Sequence, residues 1–469
     1  PQVSFDSTTY PISEDGTSIA ISIVLSSAID SDVTVDVSLV TELLTATSDS
    51  DFIFENQTVT IPASTLSVEI VIPIVNDTAA EADELFILQL SNLVNANLGS
   101  FEQTGVYIID EDTTLDVPVD GLDINYATSF LVDPTGSAEI SAFDAVSKRL
   151  FVMNSVGKKL EILDTSDITT ISTISSIDLA TFGTDGPTSV TFKNGIVAVS
   201  VSNGPTANGV VVFMDIDGNN ITSVTVGNLP DMLTFTNDGS KILVANEGQP
   251  NSDYSIDPEG SISVINAAAG FGNIVQSDVT NINFNAFDSQ IDALKTAGVR
   301  IFGPGSSVSQ DLEPEFITIS QDSQTAWVTL QENNAVGVID LATNTITSIL
   351  PLGLKDHSLE GNTLDASDDT DFIFQANWQV KGMYMPDAIA SYDIGGVTYL
   401  VTANEGDSRE YDNLDEEVRV RDLLLDATIF PNADLLKLDS NLGRLTVTNA
   451  TGDADNDGDF DEIHVFGSR

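Results

Sequence analysis

The sequence predicts an all-β protein, a β-sandwich followed by a β-propeller. Three observations carry the prediction. Runs rich in Val, Ile and Thr alternate apolar with polar residues through positions 1–112. A strand–turn–strand unit that opens on a Pro-acid pair recurs in the rest of the chain. Cysteine is absent and histidine occurs only as His357 and His464, so no disulfide framework, thiolate site or His-rich zinc site can organise the fold.

Composition narrows the functional classes. The 469 residues carry 72 Asp+Glu against 16 Lys+Arg, a formal charge of −56. With 41% hydrophobic residues the chain can build real cores, which excludes a disordered acidic tail. A field this negative repels phosphate backbones and anionic lipid heads, so neither nucleic acid nor a membrane surface is an expected partner, whereas divalent cations are attracted. No apolar run is long enough to span a bilayer. Pro1–Phe5 already reads as a strand start rather than a signal peptide, so the sequence is expected to be a processed or trimmed piece of a secreted chain. Zinc proteases and thiol hydrolases are excluded, and neither histidine has a Gly-x-Ser-x-Gly nucleophile elbow for company.

The charge is unevenly placed. None of the 16 basic residues precedes Lys148, and eight lie from Lys355 onward, which separates two modules. In the first module, residues 1–112, strands are expected at 18–25, 33–39 and 67–74, where Ile19, Ile21, Ile23 and Leu25 share one face. The acids cluster in the turns between strands, at Glu14-Asp15, Asp49-Ser50-Asp51, Asn76-Asp77, Glu81-x-Asp83-Glu84 and Asp110-Glu111-Asp112. Carboxylates gathered there with no counter-charge repel one another, and a bound Ca²⁺ with its 6–8 oxygen ligands relieves that repulsion. The rival reading is that these acids only cap turns.

This module resembles the Calx-beta domain. The residues that carry the likeness are Ser13-Glu14-Asp15-Gly16, Asp51-Phe52, Asn76-Asp77 with Glu81-x-x-Glu84, and the closing Asp110-Glu111-Asp112. The resemblance implies that Glu14, Asp51, Asp77, Glu81, Asp110 and Asp112 ligate Ca²⁺ at one end of the sandwich. Asn76 stands where calcium-rich members carry a further Asp, so one or two ions are expected rather than four.

A linker is expected over 113–126 and the propeller over 127–469. Three units are clearest, Pro230-Asp231 to Glu247, Pro314-Glu315 to Glu332 and Pro386-Asp387 to Glu405, with Pro-to-Glu spacings of 17, 18 and 19. Looser copies run from 143 to 164 and from 189 to 213. Equivalent strand ends in a propeller face one way, so Asp231, Glu315 and Asp387 with Glu247, Glu332 and Glu405 would ring the channel mouth; alternatively Pro-Asp and Asn-Glu-Gly are turn chemistry alone.

The segment Asp453-x-Asp455-x-Asp457-Gly458-Asp459-x-Asp461 has the acidic spacing of an EF-hand loop, but position 12 is His464 and the flanks read as strands. It resembles the Asp-rich hairpin loop of integrin-type propellers. That likeness implies side-chain ligation of Ca²⁺ by Asp453, Asp455, Asp457 and Asp461, and backbone ligation by Asp459. The stretch from about Gly121 to Arg469 as a whole resembles the bacterial choice-of-anchor I family, related to mesenchyme-specific cell-surface glycoproteins and often labelled alkaline phosphatase-like. The likeness rests on Leu229–Thr236, Ala245–Gly248, Asp257–Gly260, Gly353–Ser358, Met385–Ile389, Thr402–Asp407 and the Asp-rich loop. Family members continue past the position of Gly467, so the propeller is expected to be cut short here.

Two functions follow as expectations. The first is a secreted, extracellular or cell-surface calcium-binding protein of adhesive or matrix type, whose partners are calcium ions and other surface proteins, matrix proteins or polysaccharide. The alternative is a calcium-dependent phosphohydrolase, with Glu247, Glu405, Asp407 and Asp387 on the metal side. Lys355, Arg409, Arg419 and Arg421 would then hold phosphate, and His357 would act as general acid. The competing role for the three arginines is pairing with Glu410, Glu416 and Glu417, and for His357 a loop hydrogen bond.

Overall fold

The computed structural model describes residues 1–112, 125–134, 138 and 140–468; the expected linker at 113–126 lies outside them but for its last two positions. The chain forms two compact units, one of Pro1–Leu122, Asp356–Lys381 and Val418–Val465, the other of Asp123–Lys355, Gly382–Glu417 and Phe466–Arg469.

The first unit is built on a β-sandwich. Its strands are β1 (Gln2–Phe5), β2 (Thr9–Ser13), β3 (Ser18–Leu25), β4 (Val33–Val40), β5 (Gln57–Ile61), β6 (Ser67–Pro73), β7 (Glu84–Val94), β8 (Asn97–Leu98) and β9 (Gln103–Ile109). One sheet runs β6-β3-β1-β8 and the other β2-β9-β7-β4-β5. Period-two alternation sends Ile21, Ile23, Val35, Val37, Phe86 and Leu88 into the space between the sheets. There Phe52 stacks on Phe86 with ring centroids 3.9 Å apart.

β7 breaks the alternation: Leu85, Phe86, Ile87 and Leu88 are all buried. The cause is a second core on the far side of its sheet. Leu85, Ile87 and Tyr107 pack there against Phe374, Trp378, Leu436 and Val447, which come from the two later segments of the unit. A strand covered on both faces reads as a continuous apolar run. The Tyr107 hydroxyl donates to Asn441 Oδ1 at 2.9 Å inside this core.

The second unit is the propeller. Its sheets are four-stranded antiparallel meanders in chain order. The first holds β10 (Ser141–Asp144), β11 (Arg149–Asn154), β12 (Lys159–Asp164) and β13 (Ser172–Asp178). The second holds β14 (Gly186–Lys193), β15 (Ile196–Ser202), β16 (Asn208–Met214) and β17 (Thr222–Asn228). The third holds β18 (Pro230–Phe235), β19 (Lys241–Asn246), β20 (Ser261–Asn266) and β21 (Val279–Asn283). The fourth holds β22 (Pro314–Ile319), β23 (Thr325–Leu330), β24 (Ala335–Asp340) and β25 (Thr345–Pro351). A hairpin of Pro386–Ile394 and Val397–Asn404 follows. Sheets stack face to face, so inner strands are buried on both sides; every residue of β15 is buried. One inter-sheet core joins Phe151, Met153, Val197 and Val199, and the next joins Ala198, Phe213, Leu233 and Val244.

Tyr107→Phe removes the donor to Asn441 Oδ1 and leaves that oxygen buried without it among the described residues. The expected loss is about 1–3 kcal/mol of stability, measured as a lower urea midpoint at unchanged m-value.

Candidate metal centres

The sandwich gathers its acids through strand pairing. β2 and β9 run parallel with Ser13 opposite Ile109, so the residues that leave them, Glu14 and Asp110, emerge side by side. Glu14, Asp110 and Asp112 each offer a carboxylate oxygen, and the three atoms lie within 4.8 Å of one another. Asp51, from the β4–β5 connection, makes a second such group with Glu81 and Glu84 at the entrance to β7. A small cavity touches both groups through Glu14, Asp51, Glu81, Glu84 and Asp110.

The electrostatics of this end suit a cation. Burial, reinforced by Asp51, pushes the Glu84 carboxyl up to about 8. Burial and neighbouring acids also raise Glu14, Glu81 and Asp112. Asp112 Oδ2 is buried without a hydrogen-bond partner, which leaves that oxygen's lone pairs unused. The donors are all oxygen, the set that Ca²⁺ takes.

Two details differ from the sequence expectation. Asp77 lies outside both trios: its N–H donates to Glu14 Oε1 at 2.9 Å and its Oδ1 accepts the Ala79 N–H at 2.6 Å, which sets it beside them. Glu84 was absent from the expected ligand set, although the spacing Glu81-x-x-Glu84 was visible. Asp83 between them is spoken for, accepting the N–H groups of Asp110 at 2.9 Å and Gln375 at 2.5 Å.

The Asp-rich hairpin belongs to the first unit, where Val447 pairs with Val465 at its base. Gly458 turns the loop at φ 103°, a conformation that penalises any side chain. Asp453, Asp455 and Asp461 bring carboxylate oxygens within 4.8 Å of one another. Asp457 and Asp459 lie outside that group. The Asp457 N–H donates to Asp453 Oδ1 at 3.2 Å, and Asp457 Oδ1 accepts the Asp459 N–H at 3.2 Å. Asp459 Oδ1 is buried and unpartnered. His464 holds Thr451 Oγ1 through Nδ1 at 2.8 Å and Glu462 through Nε2 at 2.9 Å, so it braces the hairpin.

In the propeller, the first strands of successive sheets line a cavity of about 430 Å³. Asp231 of β18, Glu315 of β22 and Asp387 of the last hairpin reach it, as do Glu247, Gln331 and Glu405, which follow the second strands of their sheets. A register shift follows the proline in each case, between Pro187 and Ser189, Pro230 and Leu233, Pro314 and Ile317, and Pro386 and Ala388. Such a bulge re-aims the next side chain. The residue at the cavity in the fourth sheet is Gln331, one place before the Glu332 that the repeat spacing selects. Burial and the surrounding acids hold the carboxyls of Glu247 and Glu315 well above the usual range.

A family model for the choice-of-anchor I domain matches residues 139–469. The chain belongs to the choice-of-anchor I family. A Calx-beta domain model matches residues 1–112. The mesenchyme-specific cell surface glycoprotein of Strongylocentrotus purpuratus is 45% identical over 139 residues, 27% of this chain and only 18% of the length of that relative. Similar solved structures include the apo form of the Calx CBD1 domain, at 21% identity and TM-score 0.23 over 24% of this chain and 97% of that one. Another is regucalcin, a calcium-binding protein of Agrobacterium tumefaciens, at 12% identity and TM-score 0.31 over 58% of this chain and 68% of that one.

In this choice-of-anchor I chain the expected phosphate-side residues have other employment. Arg409 is buried, with Nη1 3.1 Å from Asp311 Oδ1 and Nη2 2.9 Å from Glu313 Oε1. Its partners are therefore not the neighbours in sequence, although its own N–H donates to Glu416 Oε1 at 3.0 Å. Arg300 pairs with Glu416, and both guanidinium groups lie over the Phe302 ring, at 4.6 and 4.8 Å from its centroid. Arg419 donates to the Arg444 carbonyl, and Arg421 holds Asp439 at 2.9 Å on the surface. Lys355 is half-buried in the short strand Leu354–Asp356. His357 is buried with Nδ1 2.8 Å from the Asn362 carbonyl, a loop hydrogen bond. None of the residues lining the propeller cavity is Lys, Arg or His.

Removing Arg409 strands buried carboxylates, so Arg409→Met should cost about 3–5 kcal/mol, whereas Arg421→Ala should cost no more than about 1 kcal/mol. Chemical denaturation of the two variants beside the parent measures the contrast; equal losses would contradict the buried ion pair.

Proposed function

We propose that the chain is part of a secreted or cell-surface protein of adhesive or matrix type that binds Ca²⁺ at the sandwich end and in the Asp-rich hairpin. The observation that carries this reading is the convergence of two carboxylate trios at one end of a sandwich whose own 112 residues include no Lys or Arg. The ligands proposed are Glu14, Asp110 and Asp112, with Asp51, Glu81 and Glu84 beside them, and Asp453, Asp455 and Asp461 in the hairpin. The comparisons support the same reading: the relative is named a cell surface glycoprotein, and residues 1–112 match a Calx-beta domain. Ca²⁺ suits these sites better than Mg²⁺, because flexible loops that offer many carboxylate oxygens do not impose the tight octahedron Mg²⁺ demands. Binding only in the folded state makes each ion a stabiliser, by about 2.7 kcal/mol at a hundredfold excess over Kd. The phosphohydrolase reading lacks support from its clamp, since Arg409 is committed to Asp311 and Glu313.

The experiment is a melting curve of the full chain in EGTA, then with Ca²⁺ or Mg²⁺ added back. The expected result is a clear fall in Tm with EGTA, recovery with Ca²⁺ and little recovery with Mg²⁺. The triple variant Asp453→Asn/Asp455→Asn/Asp461→Asn should lose part of the Ca²⁺-dependent rise. A curve indifferent to EGTA would overturn the reading.

A further inference from the structure

The propeller cavity contains acids that the calcium sites of the first unit do not explain. Asp231, Glu247 and Glu315 each present a carboxylate oxygen to a common point, all within 4.8 Å of one another. Glu247 is only 6% exposed, and its Oε2 is buried with no hydrogen-bond partner. A turn-forming acid would spend its oxygens on nearby N–H groups, as Asp238 does with Ser240. Glu247 instead leaves one oxygen in a trio of carboxylates. An orphaned, deeply buried carboxylate oxygen inside such a trio is what a metal ligand looks like before the metal is drawn in.

The backbone is bent to make this arrangement. Leu229 and Met385, each immediately before the Pro-acid pair of its repeat, adopt φ 46°, a left-handed conformation unfavourable for such side chains. The N–H of Glu247 bonds back to the Leu229 carbonyl at 3.0 Å, tying the end of the second strand to the start of the first. Gly248 follows at φ 73°, where a Cβ would come within 2.7 Å of the Glu259 carbonyl oxygen. Gly186, before the uncharged Pro187-Thr188 pair, also has a positive φ of 103°, so this backbone geometry belongs to the repeat and only sets the direction in which an acid there points.

We infer that Asp231, Glu247 and Glu315 bind one hard divalent cation, Ca²⁺, Mg²⁺ or Mn²⁺, on the wall of the propeller cavity. The donor set is oxygen only, which disfavours zinc and copper. No cationic side chain lines the cavity to compete for the carboxylates. The site needs neither the sandwich nor the hairpin acids, so it stands or falls apart from the calcium reading above.

Native mass spectrometry of the full chain titrated with MnCl₂ or CaCl₂ counts the ions. Glu247→Gln/Glu315→Gln should retain one ion fewer than the parent, while the hairpin triple variant keeps the propeller ion. The amides fit the same space and relieve like-charge crowding, so the metal-free double variant should melt at or above the parent. As a check independent of folding of the variant, crystals of the parent chain grown with Mn²⁺ should show an anomalous peak between the three carboxylates. An unchanged ion count in the double variant, or no peak there, would overturn the inference. Loss of ions only from the hairpin variant would do the same while leaving the calcium reading intact.

Discussion

Repulsion between carboxylates is the constraint around which this protein is arranged. Two unit charges about 4 Å apart repel by about 4 kcal/mol at an effective dielectric constant near 20, and a trio holds three such pairs. The described residues form four such trios. They do so with few internal counter-charges: between Glu247 and Glu416, six acids are buried against two arginines, Arg300 and Arg409. Protons or metal ions must make up the difference. The net charge of −56 is therefore partly a surface property and partly a set of carboxylates crowded at a few positions.

The two units reach this end by different local means. In the sandwich, parallel pairing of β2 with β9 makes the neighbours Glu14 and Asp110 leave the sheet together, and the loops before β5 and β7 bring their acids to the same edge. In the propeller, one device is used repeatedly. A proline opens the first strand, a bulge follows it, and the acid between is turned toward the cavity. The earlier repeat carries Pro187-Thr188 in place of Pro-acid, with the same bulge but no charge, so the geometry belongs to the fold and the acids belong to the site.

Much of this was legible in the sequence. Alternating Ile and Val marked the sandwich strands, and the Pro-acid repeat marked the sheets and the residues at the cavity. What escaped were matters of one residue or of long-range packing. Glu332 and Gln331 are adjacent, and only the strand end at Leu330 decides which meets the cavity. Asp77 and Asp457 lie outside the carboxylate trios and each accepts a neighbouring N–H, placements that depend on loop conformation rather than on spacing. The partners of Arg409 are about a hundred residues away, beyond the reach of any local charge pattern. The unbroken buried runs of β7 and β9 show that this sheet is covered twice, and nothing in the later segments announced that they do the covering.

That second covering changes how calcium binding and folding are linked. The chain passes between its two units five times, because Asp356–Lys381 and Val418–Val465 leave the propeller sequence to complete the core over β7 and β9. Each of these segments is held at both ends by residues of the other unit. Opening the first unit releases them as closed loops, and the closure entropy of a loop grows only slowly with its length. The Asp-rich hairpin lies in the second segment, so an ion bound there stabilises the same core as ions at the sandwich end. The two clusters thus belong to one folding unit although the sequence sets them more than 300 residues apart, and an ion bound only in the folded state at either would raise the free energy needed to open that core.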